Sequence, residues 1–250
     1  MCSVSEHTGK KYRSKNYGDV VVTNYVNNKN VFVKFLHTGY ETKAELKDVK
    51  KGNIKDKFAK TVYGVGITGD ESTTENGKHI KEYVVWSSLL QRCYDVKFLK
   101  RYLTYEGCVV SENFKYFPYF KEWYLKQIGS NKDGWELDKD ILVKGNRLYS
   151  EDTCCFVPKE INLLFSKAHS ENGELPIGVS YHNKGCRYKA RISVNGSNNY
   201  LGLFNTPEEA FLVYKQNKEW YIKEVAEKWR GKIDEAVYEA LLQHEVHIDD

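Results

Sequence analysis

The stretch Trp135–Phe165, WELDKDILVKGNRLYSEDTCCFVPKEINLLF, is the segment around which the rest of the chain arranges itself. Its opening residues alternate as a short strand does, which puts Asp138 and Asp140 on one face. A glycine then turns a hairpin, and the segment after Pro158 reads as a helix carrying Asn162. A strand, loop and helix that bring carboxylates and an asparagine together are one way to hold a divalent metal against a phosphate. The competing role for Asp138 and Asp140 is ordinary pairing with Lys139, Lys144 or Arg147, and for Asn162 a capping or core amide.

Upstream, Tyr17–Leu36 reads YGDVVVTNYVNNKNVFVKFL, two β-branched runs separated by Asn27, Asn28, Lys29 and Asn30. Asparagine tolerates left-handed backbone, so a β-hairpin is expected, with Val31, Val33 and Phe35 on one face. Gly52–Ile67 has the character of closing strands, giving a small β-barrel over residues 1–69. Asp70–Lys78, DESTTENGK, contains no large apolar residue and reads as an exposed linker. From Glu82 the period becomes helical through Val85, Leu89, Cys93 and Tyr94. Ser111–Ile128 adds a second aromatic helix, or a pair broken near Pro118.

Downstream of a polar boundary over 166–175 the period becomes two. Arg187, Lys189, Arg191 and Ser193 point one way, and Tyr188, Ala190, Ile192 and Val194 the other. Asn195-Gly196 turns into a partner strand, Tyr200–Phe204. Thr206-Pro-Glu-Glu209 then supplies an N-cap, a proline in the first turn and a capping-box glutamate for a long helix. Leu175–Pro207 contains no Asp or Glu. A strand with one cationic face suits a nucleic-acid backbone, because Lys and Arg neutralise phosphates and release counterions, and a β-ribbon fits the major groove. A solvated charged face is the competing role.

Composition bounds the rest. The 250 residues are 41% hydrophobic and 29% charged, enough apolar material for packed cores. Net charge is +4 but uneven. Met1–Asp70 carries 13 Lys and Arg against 7 acids, whereas after Gly231 only Lys232 stands against six acids. No run approaches the roughly 18 apolar residues of a membrane span, and no signal-peptide core follows Met1, so a cytoplasmic protein without a membrane partner is expected. The six cysteines then read as reduced thiols. Cys93, Cys108, Cys154 and Cys155 form no CxxC pair, which argues against structural zinc.

Two resemblances follow from these residues. Gly178-Val-Ser-Tyr181, Arg187-Tyr-Lys-Ala-Arg-Ile192 and Tyr200-Leu-Gly-Leu-Phe-Asn-Thr-Pro-Glu-Glu-Ala210 resemble the APETALA-type DNA-binding domain of plant transcription factors and phage nucleases. The resemblance implies a three-stranded sheet on double-stranded DNA, with Arg187, Lys189, Arg191, Lys184, Ser193 and Tyr181 as contacts. Trp86–Tyr94, Phe120–Trp123, Leu137–Ile141, Tyr149-Ser150, Cys154–Pro158 and Ile161-Asn162 resemble the HNH-like proteins of bacteriophages, which are similar to homing endonucleases. That resemblance implies a ββα-metal core, with Asp138 or Asp140 as water activator, and Asp138, Asp140 and Asn162 around Mg²⁺ or Mn²⁺. The usual first-strand histidine is absent, since no His lies between His79 and His169. The N-terminal segment resembles a Tudor-like or SH3-like module of such proteins.

The expectation is an α+β chain: a barrel at 1–69, an HNH-like ββα domain at 79–168, an APETALA-like domain at 175–230, and an acidic helical tail at 231–250. The expected function is a phage-type, metal-dependent DNA endonuclease. A catalytically silent DNA-binding regulator is the first alternative. The second is a module that binds a phage or host protein through the barrel.

Overall fold

The computed structural model describes residues 6–165, 175–182, 187–194 and 196–248. The chain is α+β, with helices interleaved among several small sheets. It divides into two units, Met1–Trp123 and Tyr124–Asp250.

In the first unit β1 (Lys11–Ser14), β2 (Gly18–Asn27), β3 (Asn30–Phe35) and β4 (Glu41–Ala44) form an antiparallel sheet in sequence order. The register pairs Val20 with Phe35 and Val22 with Val33. These four and Val31 are all at most 1% exposed, so the expected hairpin and its apolar face are present. The short helix α1 (Leu46–Lys51) lays Leu46 and Val49 on that face.

The expected barrel is corrected: among the described residues no sheet closes. β5 (Lys60–Val62) and β6 (Gly66–Ile67) pair with each other and with neither edge of the first sheet. The reason is that α1 and Ile54 already cover the apolar face. Helix α1 stops at Gly52, whose left-handed φ of 69° turns the chain so close to β1 that a Cβ there would stand 2.6 Å from the Arg13 carbonyl oxygen.

The linker expected over Asp70–Lys78 is exposed, but it contains a hairpin. β7 (Thr74–Glu75) pairs with β8 (Lys78–His79) through Asn76 and Gly77, both at positive φ, the signature of a two-residue turn. Helix α2 (Lys81–Tyr94) buries Trp86, Leu89, Leu90 and Cys93, with Trp86 in the stripe where Val85 was expected. Helix α3 (Val96–Arg101) and strand β9 (Val109–Val110) follow. Pro118 does not break a helix; it sits in the first turn of α4 (Phe117–Lys126), where its missing N–H costs nothing. Phe114, Phe117 and Phe120 are fully buried, and Trp86 Nε1 donates to the Phe114 carbonyl at 2.6 Å.

In the second unit β10 (Trp135–Asp138) runs antiparallel to β12 (Cys155–Pro158), and α5 (Lys159–Leu164) follows β12 at once. The loop between the strands holds β11 (Leu148–Tyr149). Then β13 (Val179–His182), β14 (Arg187–Val194) and β15 (Ser197–Phe204) form an antiparallel sheet with β14 in the middle. The polar boundary at 166–174, Asn195 of the turn, and Cys2 and Cys186 lie outside the described residues.

Helix α6 (Pro207–Trp229) begins as its sequence predicts: Thr206 Oγ1 accepts from Glu209 N–H, and Glu209 accepts from Asn205 N–H. At about 1.5 Å per residue its 23 residues span roughly 34 Å, long enough to serve two cores. Ala210, Phe211 and Tyr214 pack against Val179, Ala190 and Ile192 of the sheet. One turn and more further on, Ile222, Val225 and Ala226 join Cys155, Val157, Ile161 and Leu164. A buried Val, Ile, Leu or Phe contributes about 1.5–3 kcal/mol, so both halves of α6 are anchored.

The stretch expected as an acidic tail takes part in both cores. Helix α7 (Glu235–Leu242) buries Val237, Tyr238 and Leu241 beside α5, and Val246 packs in the sheet core. Val246 is also held through its backbone, donating to Glu219 Oε1 and accepting from Lys215 Nζ, both at 2.9 Å. No described helix is long and apolar enough to cross a membrane.

Candidate nucleic-acid interface and strand-helix centre

The sheet over α6 has two unlike faces because its strands alternate. Val179 lies opposite Ala190, and Ala190 opposite Gly202, on the side sealed by the helix. The other side gathers Arg187 opposite His182, Lys189 between Ser180 and Leu203, Arg191 opposite Tyr200, and Ser193 opposite Asn198. Arg187, Arg191 and Ser193 are exposed, and Lys189 is half-buried by its neighbours. None of the three cationic side chains has a hydrogen bond or ion pair with another described residue. A cationic face free of carboxylates keeps its charge for an outside partner.

The register opposes Leu203 to Lys189 but Tyr200 to Arg191, so β15 carries one extra residue, Leu201, as a bulge. Bulges sharpen local twist and re-aim side chains. Here the bulge leaves Tyr200 58% exposed beside Arg191, an aromatic contact that sequence reading missed because alternation alone does not reveal a bulge. Tyr181 stands on the opposite face from the cations: it pairs with Tyr188, ring centroids 5.2 Å apart, on the helix side at the sheet margin. Lys184 lies outside the described residues.

The strand-helix centre is arranged differently from the expected metal trio. β10 ends at Asp138, and Asp140 lies beyond it, so strand alternation does not relate them. Asp138 Oδ1 accepts the backbone N–H of Asp140 at 2.7 Å and of Ile141 at 2.9 Å, a local turn that ties the carboxylate to its own loop. Burial raises its pKa above the usual aspartate value, while those two N–H groups act in the opposite direction. Asp140 pairs at 2.5 Å with the Lys139 ammonium, which also donates to the Asn146 carbonyl at 2.8 Å. Lys139 is only 8% exposed, whereas the Asp140 side chain is about half open to solvent, so the ammonium is the buried end of the pair. Asn146 and Thr153 pin the same loop through Leu148.

Asn162 meets neither aspartate. Its amide donates to Glu136 Oε2, so β10 and α5 bring Glu136 and Asn162 together on the surface. Alternation could have found Glu136, two residues before Asp138 on the same strand. In this arrangement Asp138, Asp140 and Asn162 each take a different hydrogen-bond partner. Among the described residues no three His, Cys, Asp or Glu side chains form a group able to hold a metal. Cys93, Cys108, Cys154 and Cys155 are buried and in no disulfide, and burial pushes the Cys154 thiol up to about 12.

The far side of α5 is joined to α6. Glu160 accepts from Lys228 Nζ at 2.7 Å and from Trp229 Nε1 at 2.9 Å, while Trp229 meets Trp135 edge to face at 5.9 Å. Through α6 the strand-helix centre and the cationic sheet thus belong to one packed unit.

Comparisons of the chain with protein-family models, with curated proteins and with solved structures return no match.

Proposed function

We infer that the chain binds double-stranded DNA through the outer face of its C-terminal sheet and that its strand-helix centre is catalytically silent. The observation that carries this reading is the row Arg187, Lys189 and Arg191. These cations stand on the open side of a sheet whose other side is sealed by α6, with no carboxylate paired to them among the described residues. Flexible cations in such a row suit phosphates, and Tyr200 beside Arg191 adds a flat surface for a sugar or base edge. The silent centre is supported by the engagement of Asp138 within its own loop and of Asp140 with Lys139. A carboxylate spent on structural bonds is poorly placed to activate water. On this reading the protein acts as a DNA-binding regulator or blocker built on a nuclease-like scaffold.

The test is the salt dependence of duplex binding, read by fluorescence anisotropy. Each phosphate contact adds about 0.9 to the slope of log K against log salt. Replacing Arg187, Lys189 and Arg191 by Ala together should lower that slope by about 2 to 3. An unchanged slope sinks the docking face.

A second reading is a metal-dependent endonuclease, and one observation favours it: Glu136 and Asn162 meet across β10 and α5. Together they would offer a carboxylate and an amide oxygen to a hard cation that keeps its remaining ligands as water or phosphate oxygens. Cutting of plasmid DNA with Mg²⁺ or Mn²⁺ that is lost in Glu136→Gln and retained in Asp138→Asn would favour this reading over silence.

A further inference from the structure

The hairpin formed by β5 and β6 contains an anomaly that the packing of the first unit does not explain. Its turn places Tyr63 at φ 51° and Gly64 at φ 74°, with Val65 N–H donating to the Val62 carbonyl at 3.2 Å. A two-residue turn with positive φ at both central positions ordinarily has Asn or Asp before the Gly, because a bulky side chain there is strained. The neighbouring hairpin β7–β8 uses that ordinary solution, Asn76-Gly77.

The fold covers part of the Tyr63 side chain without a specific bond to hold it. It is 37% exposed and has neither a hydrogen bond nor a ring contact with any described residue. Instead it borders an open groove of about 420 Å³, whose other walls are Thr61, Val62, His79, Tyr83, Val84 and Ser87. Being open to solvent on one side, the groove suits one flat group laid against its walls rather than a whole enclosed ligand.

The groove has fixed walls. Gly66 lets the hairpin lie directly on α2, since a Cβ there would come within 2.5 Å of Leu90 and 2.9 Å of Trp86. The Tyr83 ring is fixed by Trp86 at 5.6 Å and by Phe117 edge-on at 5.5 Å. His79 meets Tyr83 at a tilt of 34°, ring centroids 4.7 Å apart, and its Nδ1 lies 3.1 Å from the Thr73 carbonyl, which turns the other ring nitrogen away from that bond. A left-handed aromatic with no hydrogen bond or ring contact of its own, bordering a groove with fixed aromatic walls, is a backbone outlier of the kind that marks ligand clamps.

We propose that this groove receives a single unpaired nucleobase of a nucleic-acid strand, held between the rings of Tyr63 and Tyr83. The hydroxyls of Thr61 and Ser87 and the outer nitrogen of His79 offer hydrogen bonds to a base edge. Lys60 and Lys78 stand exposed in the two hairpins that border the groove, where their long side chains can reach the phosphates that flank the base. Stacking on an aromatic ring accepts any base, so the site discriminates unpaired bases from paired ones rather than one sequence from another. The proposal is independent of the duplex-binding face, which belongs to the other unit.

The test uses the full chain at about 0.5 M salt, where phosphate contacts fade and stacking persists. Two fluorescein-labelled single strands of eight units are compared, one of thymidines and one of abasic sites, so that phosphate number is equal. The wild-type protein should prefer the base-bearing strand about 5- to 100-fold. Tyr63→Gly and Tyr83→Leu should erase that preference and leave affinity for the abasic strand unchanged. Tyr63→Gly should leave Tm close to the wild-type value, because relief of the left-handed backbone offsets the lost ring contacts and the added freedom of the unfolded chain, so a loss of preference in it is not misfolding. Equal affinity of the wild type for the two strands, or a preference that survives both substitutions, overturns the proposal. So does a titration in which a trimethyllysine peptide, and not the thymidine strand, loses affinity on Tyr63→Gly. The duplex salt slope of the Arg187, Lys189 and Arg191 variant is read separately, so either idea can fail alone.

Discussion

Gly178→Ala tests whether the cationic sheet is seated on α6 as described. Gly178 has φ 77°, and a Cβ placed there would stand 2.1 Å from Cδ2 of Tyr214 on the helix. Its carbonyl accepts the Arg191 N–H at 2.9 Å, so the same residue touches both the helix and the backbone of the cationic strand. A left-handed non-glycine residue costs about 1–2 kcal/mol, and forcing a methyl group into a filled contact costs about 1–3 kcal/mol more. The expected destabilisation is therefore about 2–5 kcal/mol. With a urea m-value of about 2 kcal/mol/M, the midpoint should fall by roughly 1–2.5 M. The assay is urea unfolding followed by tryptophan fluorescence, in which Trp220 and Trp229 report on α6. A cycle with Tyr214→Ala should be non-additive by about 1 kcal/mol or more, because removing the ring makes room for the methyl group. A midpoint within experimental scatter of the wild type, or strictly additive costs, would refute this account of how the sheet is seated.

Three further outcomes are expected. The raised pKa of Asp138 means that the folded state binds its proton more tightly than the unfolded chain, so its contribution is greatest below the unfolded value of about 3.8 and declines as pH rises through the folded value. Asp138→Asn, which keeps an acceptor for the two N–H groups, should flatten this part of the pH profile of stability, and superimposable profiles would contradict it. Glu160 goes the other way: although burial raises its pKa, the bonds from Lys228 and Trp229 hold it below its usual value, so its contribution is present above about 4.5 and is lost as pH falls through the folded value. Glu160→Gln should remove that acid-side loss in a urea titration at pH 3 to 6. Cys154, with its thiol pushed up to about 12, should resist a thiol-specific reagent at pH 8 in the native protein and react on unfolding, and rapid native labelling mapped to Cys154 by mass spectrometry would exclude its burial.

Local patterns are legible in the chain wherever one residue's neighbours in sequence are also its neighbours in space. The valine alternation of β2 and β3, the two-faced strand β14, and the Thr206-Pro-Glu-Glu209 start of α6 are of this kind. The barrel expectation failed because the sequence of Gly52–Ile67 does not reveal that α1 already covers the sheet. Asn76-Gly77 was readable as a turn, yet the polarity around it suggested a linker. At the candidate metal centre the residue types were legible and their directions were not. Asp138 turns into its own loop, Asp140 leaves the strand, and Asn162 finds Glu136, choices made by hydrogen bonds and burial rather than by spacing.

By itself, then, the sequence determined the mixture of short strands and amphipathic helices, the alternation that separates cations from apolar residues on β14, and the start of α6. These depend on local periodicity and capping, which a linear pattern carries. Only the tertiary structure decided that α6 spans two cores, that the final residues complete them, that Asp138, Asp140 and Asn162 take different partners, and that a strained Tyr63 borders a groove with Tyr83. Each of these depends on which distant groups share a limited packed volume, and the competition for that volume is absent from any window of the chain.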